Sequence, residues 1–118
     1  LCADLAPGAE PTRLSPGGLE EMAARLAEAD LLVNTTSVGL AGEAWTLPLD
    51  PLPDRALVVD IVYAPLETPL LRAARARGLR TLDGLWMLLH QARPGFAAWF
   101  GRDPEADEAL HARIAATL

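Results

Sequence analysis

The chain has 118 residues, of which 51% are hydrophobic and 22% are charged, and its formal net charge is −6. This composition is typical of one globular domain, and the negative charge argues against a nucleic-acid-binding surface, because phosphate binding needs clustered cations. No apolar run is long enough to span a membrane, and a single cysteine, Cys2, permits no internal disulfide and is compatible with a cytoplasmic protein.

The first half of the chain predicts two strands, a helix and a long loop. Residues 10–14 are predicted to form a short strand, and Ser15-Pro16 has the residue types of an N-cap and a first helical position. The apolar residues that follow at helical spacing are Leu19, Met22, Leu26 and Ala29. Residues 31–33 predict a buried parallel strand, and the proline-containing segment 39–55 predicts irregular structure.

The middle of the chain has the strongest strand pattern. Residues 56–62 are apolar except for Asp60, rich in β-branched side chains and without turn residues, which predicts a central strand of a parallel sheet. Thr68 and Pro69 then predict the N-cap and first residue of a helix that ends before Gly78. Residues 79–82 predict another strand.

Two helices are predicted at the carboxyl end. Residues 85–100 have a helical apolar period, which Pro94-Gly95 is expected to kink or divide near Arg93. Residues 104–118 predict an amphipathic helix capped by Asp103. The alternation of strands and helices predicts an α/β fold, a three-layer parallel sheet over residues 1–83 with terminal helices over residues 84–118.

Three sequence blocks lie where the predicted strands end: NTTSVG at 34–39, DIVYAPLETPLL at 60–71 and DGLWMLLHQ at 83–91. With the downstream WFG at 99–101, they resemble the carboxy-terminal half of the shikimate dehydrogenase family in order and spacing. The resemblance implies part of a Rossmann-like NADP-binding domain. It also implies the reversible reduction of 3-dehydroshikimate to shikimate with NADPH as the activity of the parent enzyme.

The resemblance assigns ligand contacts to individual residues. Those implied to contact NADP are Thr36, Ser37, Ile61, Gly84 and Met87. Those implied to bind the substrate, a polyhydroxylated cyclohexene carboxylate, are Tyr63 and Gln91. Within the first group, Ile61 would support the nicotinamide ring, and Gly84 would admit the ring because glycine has no side chain.

Each motif also has a structural explanation when it is taken alone. Residues 34–37 fit a turn whose side chains bond to nearby backbone, while Tyr63 and Gln91 fit ordinary surface positions. Their occurrence together, in the family order, favours the functional interpretation. Asp60, inside an apolar strand, is interpreted as a buried carboxylate that accepts hydrogen bonds from backbone N–H groups rather than as a site acid.

Two further groups of residues are interpreted as structural. A solvated helix face, rather than an anion site, is predicted for Arg72, Arg75, Arg77 and Arg80. Core or domain-interface positions are predicted for Trp45, Trp86 and Trp99. His90 and His111 are too isolated in the sequence to indicate a metal site.

The chain lacks two features of the family. It has no lysine, whereas the family pairs a lysine with an aspartate in its amino-terminal half, and it has no G-x-G-x-x-G turn for the pyrophosphate. No catalytic residue is therefore assigned. The start at Leu1 suggests a fragment, expected to be inactive alone and to self-associate through an unpaired sheet edge. The alternatives are a quinate dehydrogenase and a non-catalytic nucleotide-binding or interaction module.

Overall fold

The computed structural model describes residues 15–41, 43–46 and 48–118. Three parallel strands form one sheet in the order β1-β2-β3, namely β1 Leu31–Asn34, β2 Leu57–Asp60 and β3 Arg80–Leu82. The helices are α1 Met22–Leu26, α2 Pro69–Ala76, α3 Gly84–Phe100 and α4 Glu108–Ala115, and a 3-10 turn Leu19–Glu21 precedes α1. The predicted parallel α/β fold is confirmed. The strand predicted at 10–14 lies outside the described residues.

The core lies between the sheet and α2. Leu70, Leu71 and Ala74 of α2 are buried and belong to one apolar cluster with Val58 of β2 and Leu26 of α1. The helix forms where the sequence predicts it, because Thr68 caps it, Pro69 occupies its first position and Gly78, with a φ of 79°, follows its end. This packing fixes the carboxyl end of β2 relative to the start of α2.

The opposite face of the sheet is open at β1 and β3. Leu31, Val33 and Leu82 lie on that face and are 53%, 39% and 38% exposed. The prediction that residues 31–33 form a strand is confirmed, but the expectation that this strand is buried is wrong. Among the described residues β1 pairs only with β2, so it is an edge strand with one packed face.

Two helices begin later than predicted. The 3-10 turn before α1 begins after Gly18, and the hydroxyl of Ser15 accepts a hydrogen bond from Arg25 Nη2 at 3.2 Å instead of capping a helix. Helix α4 is capped by Asp107, whose carboxylate accepts from Leu110 N at 2.8 Å. Asp103, the predicted cap, binds the guanidinium of Arg93 at 3.0 and 2.7 Å. In both cases an arginine takes the oxygen of the predicted cap, because charge-assisted bonds are the stronger ones.

The last long helix is not divided at its proline. Helix α3 runs through Pro94 as one 17-residue helix, so of the two predicted alternatives the division into two helices near Arg93 is wrong. The kink stays a prediction. A proline removes one backbone donor, but the remaining bonds of a long helix persist. Its first turns are further fixed by the buried residues Leu85 and Leu89.

The arginines predicted to form a solvated helix face do not all lie in the same environment. Arg72 and Arg75 contact the exposed carboxylate of Glu67, in agreement with a solvated helix face. Arg77 instead donates to the carbonyl oxygens of Leu49 and Leu52, so it holds the long loop against α2. Within the described ranges no helix is both long enough and apolar enough to cross a membrane.

Candidate functional site

The three sequence blocks meet at one edge of the sheet. Asn34 is the last residue of β1, Asp60 is the last residue of β2, and Asp83 follows β3. Parallel strands place their carboxyl ends at the same edge, where ligands bind in open α/β sheets. Asn34 and Asp60 are paired across the two strands, so the first two blocks are in direct contact. This edge is the candidate functional site.

Asp60 is the polar centre of this edge. Its side chain is fully buried, and Oδ1 accepts from Asn34 Nδ2 at 3.0 Å and from Val62 N at 3.1 Å. Oδ2 accepts from Thr68 Oγ1 at 2.6 Å, and Thr68 Oγ1 in turn accepts from Leu71 N at 3.3 Å. The interpretation of Asp60 as a buried acceptor is confirmed, with two side-chain donors in addition to the backbone donor.

The loop after β1 is folded onto Asn34. Asn34 Oδ1 accepts from the backbone N and from Oγ1 of Thr36, at 3.0 and 2.7 Å, while Asn34 Nδ2 also donates to Val38 O at 3.1 Å. Thr36 Oγ1 accepts from Val38 N at 3.2 Å. The hydroxyl and the backbone N–H of Thr36 therefore both donate inside the loop, which leaves its methyl group for contact with a ligand. Ser37 is exposed beside it.

The carboxylate of Glu43 binds the backbone at the end of the same loop. Its Oε2 accepts from Gly39 N at 3.0 Å and from Ala41 N at 3.1 Å. Hydrogen bonds from the backbone N–H groups of Glu43 itself, Gly39 and Ala41 hold the pKa of this carboxyl below its ordinary value. These hydrogen bonds to ionised Glu43 therefore stabilise the fold at pH values above the ordinary pKa of a glutamate. Their contribution is lost as the pH falls through the lowered pKa of the folded state.

Gly84 begins α3 in direct contact with the end of β2. A Cβ at this position would lie against the carbonyl oxygen of Ile61 and 2.6 Å from that of Val62. Real Cβ atoms do not approach backbone oxygens so closely, so only glycine allows this packing. The structure thus brings Gly84 and Ile61 together, as a shared nicotinamide site requires, and gives a packing reason for the glycine.

The remaining predicted site residues are exposed around this contact. Met87 lies three residues after Gly84 and Gln91 four residues after Met87, so they share one face of α3. Met87 is 37% exposed and Tyr63, just beyond β2, is 41% exposed. In the part of the chain that the structure describes, neither the Tyr63 hydroxyl nor the Gln91 amide makes a hydrogen bond. Their roles in substrate binding stay predictions.

A contact that the sequence does not reveal supports the start of α3. His111 Nε2 of α4 lies 2.9 Å from Asp83 Oδ1, the oxygen that also accepts from Leu85 N at 3.1 Å. The ring of Trp86 stacks on that of His111 with centroids 4.6 Å apart. Asp83 and His111 are 28 residues apart, so no local pattern predicts their contact. Trp86 is therefore a packing residue between α3 and α4.

The other two tryptophans differ from each other. Trp45 packs against the core under α2, as predicted, whereas Trp99 is 81% exposed on α3 and lies outside this core. A cavity of about 340 Å³ beside β1 is lined by Trp45, Thr36 and Val38 among other residues. The cavity places apolar surface next to the loop that is predicted to contact NADP.

The chain is similar in sequence to shikimate dehydrogenases. It is 55% identical over 107 residues to the protein named shikimate dehydrogenase (NADP(+)) of Azorhizobium caulinodans, which covers 90% of this chain. The predicted resemblance is confirmed. The chain spans 38% of the length of that relative and corresponds to its carboxy-terminal part. No family model matches the chain.

Solved structures of dehydrogenases share the fold. Shikimate 5-dehydrogenase of Thermus thermophilus, in complex with NADP(H) and shikimate, is 42% identical with a TM-score of 0.63, over 75% of this chain and 33% of that chain. Quinate dehydrogenase of Corynebacterium glutamicum, in complex with NAD, is 39% identical with a TM-score of 0.65, over 74% of this chain and 31% of that chain. The predicted Rossmann-like architecture is thereby confirmed.

Proposed function

We propose that this chain forms the carboxy-terminal part of the NADP-binding domain of a shikimate dehydrogenase. The enzyme would reversibly reduce 3-dehydroshikimate to shikimate with NADPH. The 55% identity to a named shikimate dehydrogenase carries this proposal. The convergence of Asn34, Asp60 and Gly84 at one strand edge supports it, because that edge is where such sheets bind nucleotides.

The residues of this chain would position both ligands. Ile61 and Met87 would hold the nicotinamide beside Gly84, and Thr36 and Ser37 would line the nucleotide from the β1 loop. NADPH supplies the hydride that the substrate carbonyl carbon accepts. Tyr63 and Gln91 would hydrogen-bond the substrate so that this carbon faces the ring, and such positioning is a large part of the protein's contribution to hydride transfer. No proton donor is assigned within this chain.

The proposal is tested with a chimera. The chimera carries the 107-residue matched part of this chain in place of the corresponding segment of the Azorhizobium caulinodans enzyme, whose remaining residues stay unchanged. We expect NADP-dependent oxidation of shikimate by the chimera and no turnover by the 118-residue chain alone, because the chain has no lysine and no glycine-rich pyrophosphate turn. Absorbance of NADPH at steady state measures both. A folded but inactive chimera contradicts the proposal.

Quinate dehydrogenation is the second candidate activity. The similarity to a quinate dehydrogenase bound to NAD, with a TM-score of 0.65, favours it. The same chimera assayed with shikimate and quinate, each with NADP and NAD, separates the two activities. A higher kcat/KM for shikimate with NADP supports the main proposal, whereas a higher value for quinate with NAD favours the alternative.

Self-association of the isolated chain is part of the proposal. Its support is the edge strand β1, together with the exposed apolar residues Leu31, Val33 and Leu82 on one sheet face. Such edges and faces promote association. Sedimentation of the chain should show a mass that rises with concentration, and Val33→Lys should lower that mass. A monomer at every concentration contradicts this expectation. The cytoplasmic location stays a prediction from the composition and the cysteine content.

A further inference from the structure

Asp60 is joined to three different parts of the candidate site. The hydrogen bonds to its carboxylate come from Asn34 in β1, from the backbone of Val62 beyond β2, and from Thr68 before α2. No salt bridge reaches this fully buried side chain in the described part of the molecule. A buried carboxylate is costly unless donors satisfy it, so these bonds specify one arrangement of the three segments.

The hydrogen bond from Asn34 connects Asp60 to the loop after β1, which is predicted to contact NADP. Asn34 uses one amide hydrogen on Asp60 and the other on Val38 O, and its carbonyl oxygen accepts both donors of Thr36. A rotation of the Asn34 amide would break these bonds together. The side chain of Asp60 therefore fixes the conformation of the loop that carries Thr36 and Ser37.

The hydrogen bond from Val62 connects Asp60 to Tyr63, which is predicted to bind the substrate. Val62 N donates to the same Oδ1 that binds Asn34, and Tyr63 is the next residue along the chain. The carbonyl oxygens of Ile61 and Val62 are also the atoms that Gly84 contacts at the start of α3. The position of this backbone segment sets both the tyrosine and the glycine.

We propose that Asp60 is a positioning residue that couples the NADP loop to the substrate tyrosine through Asn34 and the Val62 backbone. It would touch neither ligand and transfer no proton. This inference rests on the proposed function, since it concerns how the same site holds its two ligands. The carboxylate oxygens of Asp60 would then align the two ligand-binding segments and take no part in the reaction.

The experiment replaces Asp60 in the chimera. Asp60→Ala removes both acceptor oxygens, so Asn34 Nδ2, Val62 N and Thr68 Oγ1 lose the carboxylate that links them. We expect the KM values for NADP and for shikimate to rise together, each by about tenfold, the effect of losing one hydrogen bond. The shape of the pH profile of kcat should be the same in the variant and in the unmodified chimera. A changed shape, or KM values equal to those of the unmodified chimera, overturns the inference.

A matched variant separates the two connections from Asp60. Thr36→Val removes the hydroxyl that bonds Asn34 and Val38 but leaves the bond from Val62 to Asp60 intact. It should raise the KM for NADP. The KM for shikimate should stay within about twofold of that of the unmodified chimera, because the variant does not touch the Val62 bond. If Asp60→Ala does not fold, this variant decides, and an unchanged KM for NADP then overturns the inference.

A readout without turnover distinguishes this inference from the proposed function. In the chain itself, amide hydrogen exchange of Thr36 and Val62 should be faster in Asp60→Ala than in the unmodified chain, because both amides depend on the Asp60 bonds. Exchange that is equal in the two proteins overturns the coupling even if the chimera is active. If the unmodified chimera is inactive but exchange is faster in the variant chain, the proposed function is contradicted and the coupling through Asp60 is not.

Discussion

Gly84→Ala is expected to lower the free energy of unfolding of the chain by about 1 to 3 kcal/mol, the usual cost of forcing atoms into a packed site. The added methyl would lie against the carbonyl oxygen of Ile61 and 2.6 Å from that of Val62. These are backbone atoms that β2 and the Asp60 bonds hold in place, so the start of α3 must move. Urea denaturation of the chain measures the change.

Gly95→Ala is the matched control in the same helix. A Cβ at Gly95 meets only the far end of the Trp99 ring at 3.9 Å, an ordinary contact. Since alanine favours helix, this variant should raise the free energy of unfolding by up to about 1 kcal/mol. If Gly84→Ala is as stable as the unmodified chain but raises the KM for NADP in the chimera, the glycine serves the nicotinamide ring and the packing explanation is wrong.

The strands and α2 could be predicted because their determinants are local in the sequence. The β-branched run at 56–62 marks the central strand, and Thr68, Pro69 and Gly78 mark the ends of α2. The starts of α1 and α4 could not be predicted in this way. Arg25 and Arg93 bind the side chains of the two predicted caps, Ser15 and Asp103, from ten residues away. The local residue pattern around a helix start does not predict such a contact.

The sequence predicts the edge of the sheet at which the motifs meet, but not the contacts between them. Asn34 and Gly84 follow predicted strands, whereas Asp60 is expected inside the strand 56–62 and lies instead at the end of β2. The bond between Asn34 and Asp60 spans 26 residues and depends on the strand register, which the motifs do not specify. The family resemblance assigns Thr36 to the cofactor, and the structure adds that its hydroxyl bonds to Asn34 and Val38 within the loop.

Tyr63→Phe in the chimera is expected to weaken transition-state binding of shikimate by about 1 to 3 kcal/mol, or somewhat more if it leaves a charged carboxylate unpaired. The hydroxyl is free of hydrogen bonds in the described structure and the ring is 41% exposed, so the change should leave packing unaltered. The loss should therefore appear in kcat/KM for shikimate, with the KM for NADP unchanged.

Ser37→Ala removes a hydroxyl from the other predicted ligand contact and should show the opposite pattern. Its exposed side chain lies in the loop assigned to NADP, so the KM for NADP should rise while kcat/KM for shikimate at saturating NADP stays the same. The pair of variants tests whether the β2 end and the β1 loop serve different ligands in one cleft. If Tyr63→Phe matches the unmodified chimera for shikimate, the tyrosine is an ordinary surface residue, and the assignment of Gln91 to the same substrate loses its nearest support.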